Sequence, residues 1–367
     1  MGPPSRATVG GVTIEVGILG AGFIARYHAM QLSLAAEPNR IVAVHDPEGA
    51  RAEQFCAEVG GRAVDRVEDV IDSSDAVFVC SWTADHLASV RKVVEAGLPV
   101  FCEKPLSTDL HTARELVRAV DEAKVPNAVG LVLRSSPALL ALRELVHDPT
   151  VGRVVNVVFR DDQYLPTQGI YGSTWRAEVD KAGSGVLLEH SIHDLDVLEW
   201  LFGDVDSVVA RESHVHGLDG IEDSISVLLG LHCGATASLA SVWHDVMSRP
   251  SQRRIEVFCE RALVTLEGDI FGPVRRQDSE GELVLDGDEL VAWLTAREVP
   301  LVSTEQQFLT AVRSRRDGAP VPEVEPNVHH ALRAHVLADA VYRSSLGGGL
   351  PVTVPPPDLD AAAPAGR

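Results

Sequence analysis

Lysine is scarce in this 367-residue chain: four occur, at positions 92, 104, 124 and 181. Basic residues as a whole are outnumbered, 32 Lys and Arg against 53 Asp and Glu, for a formal net charge of −21. Such a surface cannot offset phosphate repulsion, which excludes nucleic acid and argues against an anionic membrane. Five cysteines (56, 80, 102, 233 and 259) are scattered without C-x-x-C spacing. Cys80 and Cys102 sit in apolar strand-like runs, the setting of buried reduced thiols rather than of a disulfide framework. No run of about 18 apolar residues, the length a spanning helix needs, occurs anywhere. Met1–Gly11 has no apolar stretch of the signal-peptide kind, and Arg6 breaks the myristoylation pattern. The expectation is a cytoplasmic protein.

Hydrophobic residues make up 45% and charged residues 23%, a globular balance in a chain long enough for two domains. The first third alternates short apolar runs (12–19, 41–45, 76–80, 100–102, 128–132) with helical patterns (25–36, 48–59, 84–95, 112–123). That alternation predicts a doubly wound α/β domain with a parallel sheet, covering residues 1–134. Beyond it come a helix at 137–147, a strand at 154–160 and one continuous helix at 185–201. Strand-like segments then follow at 205–212, 224–231, 235–241, 254–259 and 262–267. Successive strands without helices predict an α+β domain, residues 135–354, with a large, mostly antiparallel open sheet. Two late helices (305–315, 327–345) belong to it, and Pro-rich 355–367 reads as a disordered tail.

The first strand runs into Gly20-Ala21-Gly22-Phe23-Ile24-Ala25 and then a helix. Gly20 permits the tight turn, Gly22 a close backbone approach, and Ala25 close packing of helix on strand. The helix N-terminus then offers N–H groups to a pyrophosphate. Asp46 closes the second strand, where a carboxylate accepts ribose hydroxyls and repels a 2′-phosphate. Pro47 follows rather than arginine, so NAD is favoured, with NADP possible through Arg51. The alternative for Asp46 is an Asp-Pro turn without a ligand.

Lys104 lies in Cys102-Glu103-Lys104-Pro105, directly after an apolar strand and so at the ligand-binding edge of the sheet. Here the chain resembles the Gfo/Idh/MocA family, named for glucose–fructose oxidoreductase and inositol dehydrogenase. The likeness rests on the glycine turn, Glu103-Lys104-Pro105, Trp175-Arg176 before Gly183-Ser184-Gly185, and Glu189, His193, Asp194 and Asp196. It implies an NAD(P)-dependent oxidoreductase acting on a hydroxyl or carbonyl of a sugar, cyclitol or related polyol. Lys104 would hold the substrate hydroxyl, and His193 would be the acid or base, its ordinary pKa near 6.5 suiting both directions. Gly20, Gly22, Phe23, Ile24, Asp46, Ser81, Trp82, His86, Glu103, Lys104, Trp175 and Arg176 would line the cofactor site. A homodimer or homotetramer is the implied assembly.

Glu189 and His193 are four apart, hence on one face of the expected helix. Glu189, where the family has aspartate, either orients the imidazole or binds a substrate hydroxyl. His190 is either a second substrate ligand or a packing residue, and Trp82 either stacks near the nicotinamide or forms a hydrophobic lid. His214, His216, His329, His330 and His335 complete no ligand set of matched spacing, so no metal is expected. Two further functions stay open: an NAD-dependent glycosidase using transient oxidation, and a non-catalytic dinucleotide sensor.

Overall fold

Apolar runs bounded by polar turns become six parallel strands: β1 (Ile14–Leu19), β2 (Asn39–His45), β3 (Arg62–Ala63), β4 (Ala76–Val79), β5 (Val100–Cys102) and β6 (Asn127–Val129). Between them lie α1 (Phe23–Leu34), α2 (Gly49–Val59), α3 (Val67–Ile71), α4 (His86–Glu95) and α5 (Leu110–Ala123). This computed structural model describes residues 13–249, 251–268, 270–357 and 359. The strand order is β3-β2-β1-β4-β5-β6, which reverses direction between β1 and β4. A crevice opens at that switch point, outside the carboxyl ends of the strands. Every residue of β4 and β5 is buried, since helices cover both faces.

The second half contains α6 (Pro137–Val146), β7 (Val154–Tyr164), α7 (Val179–Ala182), α8 (Val186–Glu189) and α9 (Ile192–Phe202). The strands β8 (Val205–Ser213), β9 (Ser224–Leu231), β10 (Thr236–His244), β11 (Gln252–Cys259) and β12 (Ala262–Glu267) follow. The chain then forms a hairpin, β13 (Val274–Asp278) and β14 (Gly281–Leu285), and the helix α10 (Gly287–Thr295). It ends in α11 (Thr304–Arg316), α12 (Val328–Leu346) and the short strand β15 (Val352–Thr353). Nine strands form one sheet in the order β14-β13-β12-β11-β7-β10-β9-β8-β15. All neighbours are antiparallel except β7 and β10. Period-2 alternation sends Ala237, Leu239, Ser241 and Trp243 of β10 to the buried face.

Three expectations need correction. The single helix at 185–201 is two, α8 and α9, separated at His190 and Ser191. There the Ser191 N–H bonds the Val186 carbonyl at 2.9 Å, one residue further back than a regular α-helix allows. β7 runs four residues past Arg160, to Tyr164; all four are buried, and the strand stays paired with β10 to its end. Finally, the boundary at 134 marks the end of the first sheet but not of its core. Phe308, Leu309 and Val312 of α11 return to that core, the Phe308 ring lying 5.6 Å from Phe78 and 5.8 Å from Phe101. Of the proposed tail, Leu359 packs against the first domain, while residues 358 and 360–367 lie outside the described residues. Val12, placed in the first strand by sequence, also lies outside them.

Because Phe308 is fully buried among aromatic rings, Phe308→Ala is expected to destabilise the protein by about 3–5 kcal/mol. Urea unfolding measures this. A loss below about 1 kcal/mol would mean that α11 is not part of the first domain's core.

Candidate active site

Between the two sheets lies a cavity of about 400 Å³. Its first wall comes from the carboxyl ends of the parallel strands. Gly20 has φ +90°, and a Cβ there would stand 2.7 Å from the Cys80 backbone, so only glycine closes this turn. At Gly22 an added Cβ would meet nothing within 4 Å. α1 starts at the next residue, with no side-chain cap and no acidic residue in its first turn. Open space before uncapped helix N–H groups fits a pyrophosphate. Asp46 is buried, accepting from the N–H of Ala21 and of Glu48, each at 2.9 Å. It lines the cavity beside Arg51, whose guanidinium is 3.6 Å away. Ser81, Trp82 and Glu103 line the same wall.

The second wall brings Trp175, Arg176, Glu189, His190 and His193 to face Lys104. Lys104 Nζ donates to the backbone carbonyl of Glu189 at 2.7 Å, across the domain boundary. Burial, helped by the Arg176 charge, lowers the lysine to about 8. The Glu189 carboxylate is fully engaged: Thr83 Oγ1 donates to Oε1 at 2.6 Å and Arg176 Nε to Oε2 at 3.0 Å. Arg176 in turn lies 4.5 Å over the Trp175 ring. Glu189 ends α8 and His193 stands in α9, so the two line the same wall from different helices. In this structure Glu189 neither orients His193 nor offers an unengaged carboxylate oxygen to a substrate.

Burial, together with the charges of Lys104, Arg253 and His190, pushes His193 well below 6.5. Its imidazole is neutral near pH 7, and Nδ1 has no hydrogen-bond partner among the described residues. The expectation of an ordinary pKa is thus corrected. Behind it sits a charged group that sequence alone did not reveal. Arg253 of β11 donates to Asp194 at 2.6 Å and to Asp161 of β7 at 3.0 Å. His190 Nε2 lies 2.7 Å from an Asp161 carboxylate oxygen while the ring lines the cavity. Burial raises Asp194 to about 7 despite Arg253. Asp196 receives Arg134 through two bonds, 2.6 and 2.9 Å, and so ties α9 to the turn after β6.

One expected cofactor residue does not reach the cavity. His86 is buried, with Nδ1 2.8 Å from the Pro105 carbonyl and Nε2 3.1 Å from that of Ser81. It staples the loop after β4 to the loop after β5 and positions them rather than lining the site. Trp82 does line it, with Lys181 Nζ 5.6 Å from its ring centre. Three further histidines have structural partners: His335 accepts from the Leu106 N–H, His330 closes the α12 cap with Asn327, and His216 pairs with Asp223. Among the described residues no group of three or more His, Cys, Asp or Glu could hold a metal, and no helix is long and apolar enough to cross a membrane.

Two family models match the chain. One, described as an oxidoreductase family with an NAD-binding Rossmann fold, spans residues 14–131; the other, the GFO/IDH/MocA C-terminal domain, spans 139–265. Inositol 2-dehydrogenase of Rhizobium meliloti strain 1021 is 29% identical over 342 residues, 91% of this chain and 97% of that one. 1,5-Anhydro-D-fructose reductase of Ensifer adhaerens is 31% identical over 290 residues, 76% of this chain and 85% of its own length. Among solved structures, levoglucosan dehydrogenase in complex with NADH superposes with a TM-score of 0.78 at 16% identity, covering 94% of this chain and 100% of that one. At that identity the likeness concerns the fold alone.

The His193 environment gives a direct test. Its Cε1 proton is expected to show no NMR titration step between about pH 6 and 8, because the shift is downward. A midpoint at or above 6.5 would contradict the burial described. Glu189→Gln removes the carboxylate facing Arg176, and a melting temperature unchanged from the unmodified protein would show that this pair contributes nothing.

Proposed function

The chain belongs to the Gfo/Idh/MocA family of oxidoreductases, and from that premise we propose that it moves hydride between NAD and a secondary hydroxyl or carbonyl of a cyclitol, sugar or sugar-derived substrate, with Lys104 and His193 as the proton-handling pair. The observation that carries the reading is the meeting of a half-buried lysine, lowered to about 8, and a neutral histidine in one cleft between the domains. NAD, when bound, supplies the hydride acceptor. Gly20, Gly22, Phe23 and Ile24 would hold its pyrophosphate, and Asp46 a ribose hydroxyl. Ser81, Trp82 and Glu103 would face the nicotinamide, with Trp175 and Arg176 closing from the second domain.

The chain's own chemistry follows from protonation states. Neutral His193 accepts the substrate hydroxyl proton as the C–H bond breaks, and returns it in the reducing direction. Lys104 keeps one N–H on the Glu189 carbonyl and points the remainder at the substrate oxygen, steadying negative charge as it develops. Trp82 and Trp175 give the apolar ring faces that a carbohydrate needs, and Gln163 and His190 give polar contacts for neighbouring hydroxyls. The outer face of the nine-stranded sheet exposes Val158, Leu228 and Phe258, a surface suited to a second copy in a dimer or tetramer.

A panel of inositols, aldoses, anhydrosugars and glycosides with NAD tests the reading. Net NADH supports it, whereas glycoside cleavage without net NADH, or binding alone, replaces it with one of the other two functions. Lys104→Ala is expected to lower turnover by at least about two orders of magnitude while NADH still binds. Near-normal turnover in that variant would remove the lysine from the mechanism. For the cofactor, Asp46→Ser with Pro47→Arg is expected to shift preference towards NADP. If the unmodified protein already binds NADP more tightly than NAD, Asp46 does not set the choice.

A further inference from the structure

Beneath the cavity the structure buries an acid–base–acid chain, of which the proposed function uses only Glu103. His28 of α1 is fully buried; its Nε2 lies 2.8 Å from Glu103 Oε1 and its Nδ1 2.8 Å from Glu305 Oε1. Glu305 stands in the first turn of α11, where the helix dipole favours a carboxylate. Glu103 Oε2 accepts the backbone N–H of Lys104 at 3.1 Å. Gly130 provides the space: a Cβ there would come within 2.0 Å of Glu103 Oε1. One imidazole thus joins the cofactor helix, the strand end carrying Lys104 and a helix returning from the far end of the chain.

We propose that His28, anchored by Glu305, is the positioning residue for Lys104: it fixes the Glu103 carboxylate and neutralises it. The inference rests on the reading that Lys104 acts on the substrate oxygen. Two buried carboxylates around one imidazole require that imidazole to be cationic, since an uncompensated buried pair is too costly. Burial alone would lower His28, but its bonds to both glutamates outweigh it and raise the group to about 9. Around it pack the rings of Phe78, Phe101 and Tyr27, the last on its own helix with a hydroxyl pushed up to about 12 by burial and both glutamates. The Cys80 thiol near the two glutamates is raised by burial and by their charges. The Glu103 charge already pulls Lys104 upward against burial and Arg176, the balance lying at about 8. Without the His28 cation beside that carboxylate the upward pull would be stronger.

With only four lysines in the chain, ¹³Cε-lysine labelling makes Lys104 directly observable by NMR, with or without a known substrate. In the intact protein its titration midpoint is expected at about 8; in His28→Gln it should rise above about 9. Glu305→Gln, the milder change should the first variant fail to fold, should move it the same way by less. Against any substrate found active, His28→Gln should lower kcat about tenfold to a hundredfold with KM changed by less than about twofold. A lower melting temperature with the lysine midpoint still at about 8 would make His28 merely structural and overturn the proposal. Absence of turnover by the intact protein on every substrate, with the midpoint moved as expected, would instead fault the functional reading and leave the positioning intact.

Discussion

The Lys104 ammonium crosses from one domain to the other. It is carried by the edge of the parallel sheet, yet its hydrogen bond ends on the Glu189 carbonyl at the tip of α8. Burying a cation with a single neutral acceptor is unfavourable, so the surroundings have to hold both ends still. On one side this falls to the Glu103 carboxylate and the staple made by His86. On the other, Thr83 and Arg176 clamp the Glu189 side chain, and Glu222 accepts the N–H groups of Gly185 and Leu187 at the start of α8. The cleft is a consequence of these anchors as much as of the two sheets.

The same logic explains why a short stretch of α9 carries so many acids. Asp194 and Asp196 are buried and turned away from the reacting centre, Asp194 to Arg253 on β11 and Asp196 to Arg134 after β6. Removing either partner would leave a buried charge without compensation, an effect usually larger than the net worth of the pair. They fix the helix, and the helix fixes His193. The buried His28 adds a pH dependence of known sign. Its pKa is raised on folding, so the stability it contributes is complete below about 6.5 and is lost as pH rises through about 9.

Much of the first domain was legible because its signals are local. A parallel strand buried on both faces is a continuous apolar run, and the glycine turn is read from six neighbouring residues. Lys104 could be placed because a strand end and a proline bracket it. What escaped was non-local or broke a period without a marker. Residues 185–201 contain neither proline nor an internal glycine after Gly185, so nothing announced the wide turn at His190–Ser191. The contacts that accompany it are distant in sequence, to Asp161 and Ser241 of the adjoining strands, which Ser191 and His190 reach. In the β13–β14 hairpin, at the sheet edge, β13 is mostly polar and the apolar residues of β14 are consecutive, so neither strand shows alternation. Thr83, Asp161, Arg253, His28 and Glu305 each depend on a partner at least 59 positions away.

The last long helix belongs to both domains at once. Val328, Ala331, Leu332 and Val336 of α12 sit in the core of the first, while Leu337, Ala338 and Val341 sit in that of the second. A single helix sharing its faces in this way acts as a keel: the two sheets cannot swing apart without unseating one end of it. Traffic through the cleft must therefore pass by the rim, where Tyr171, in the loop after β7, meets Phe23 at the head of α1 with ring centres 5.7 Å apart. A dinucleotide lying along the cleft would pass under this pair of rings, so they form part of its outer edge.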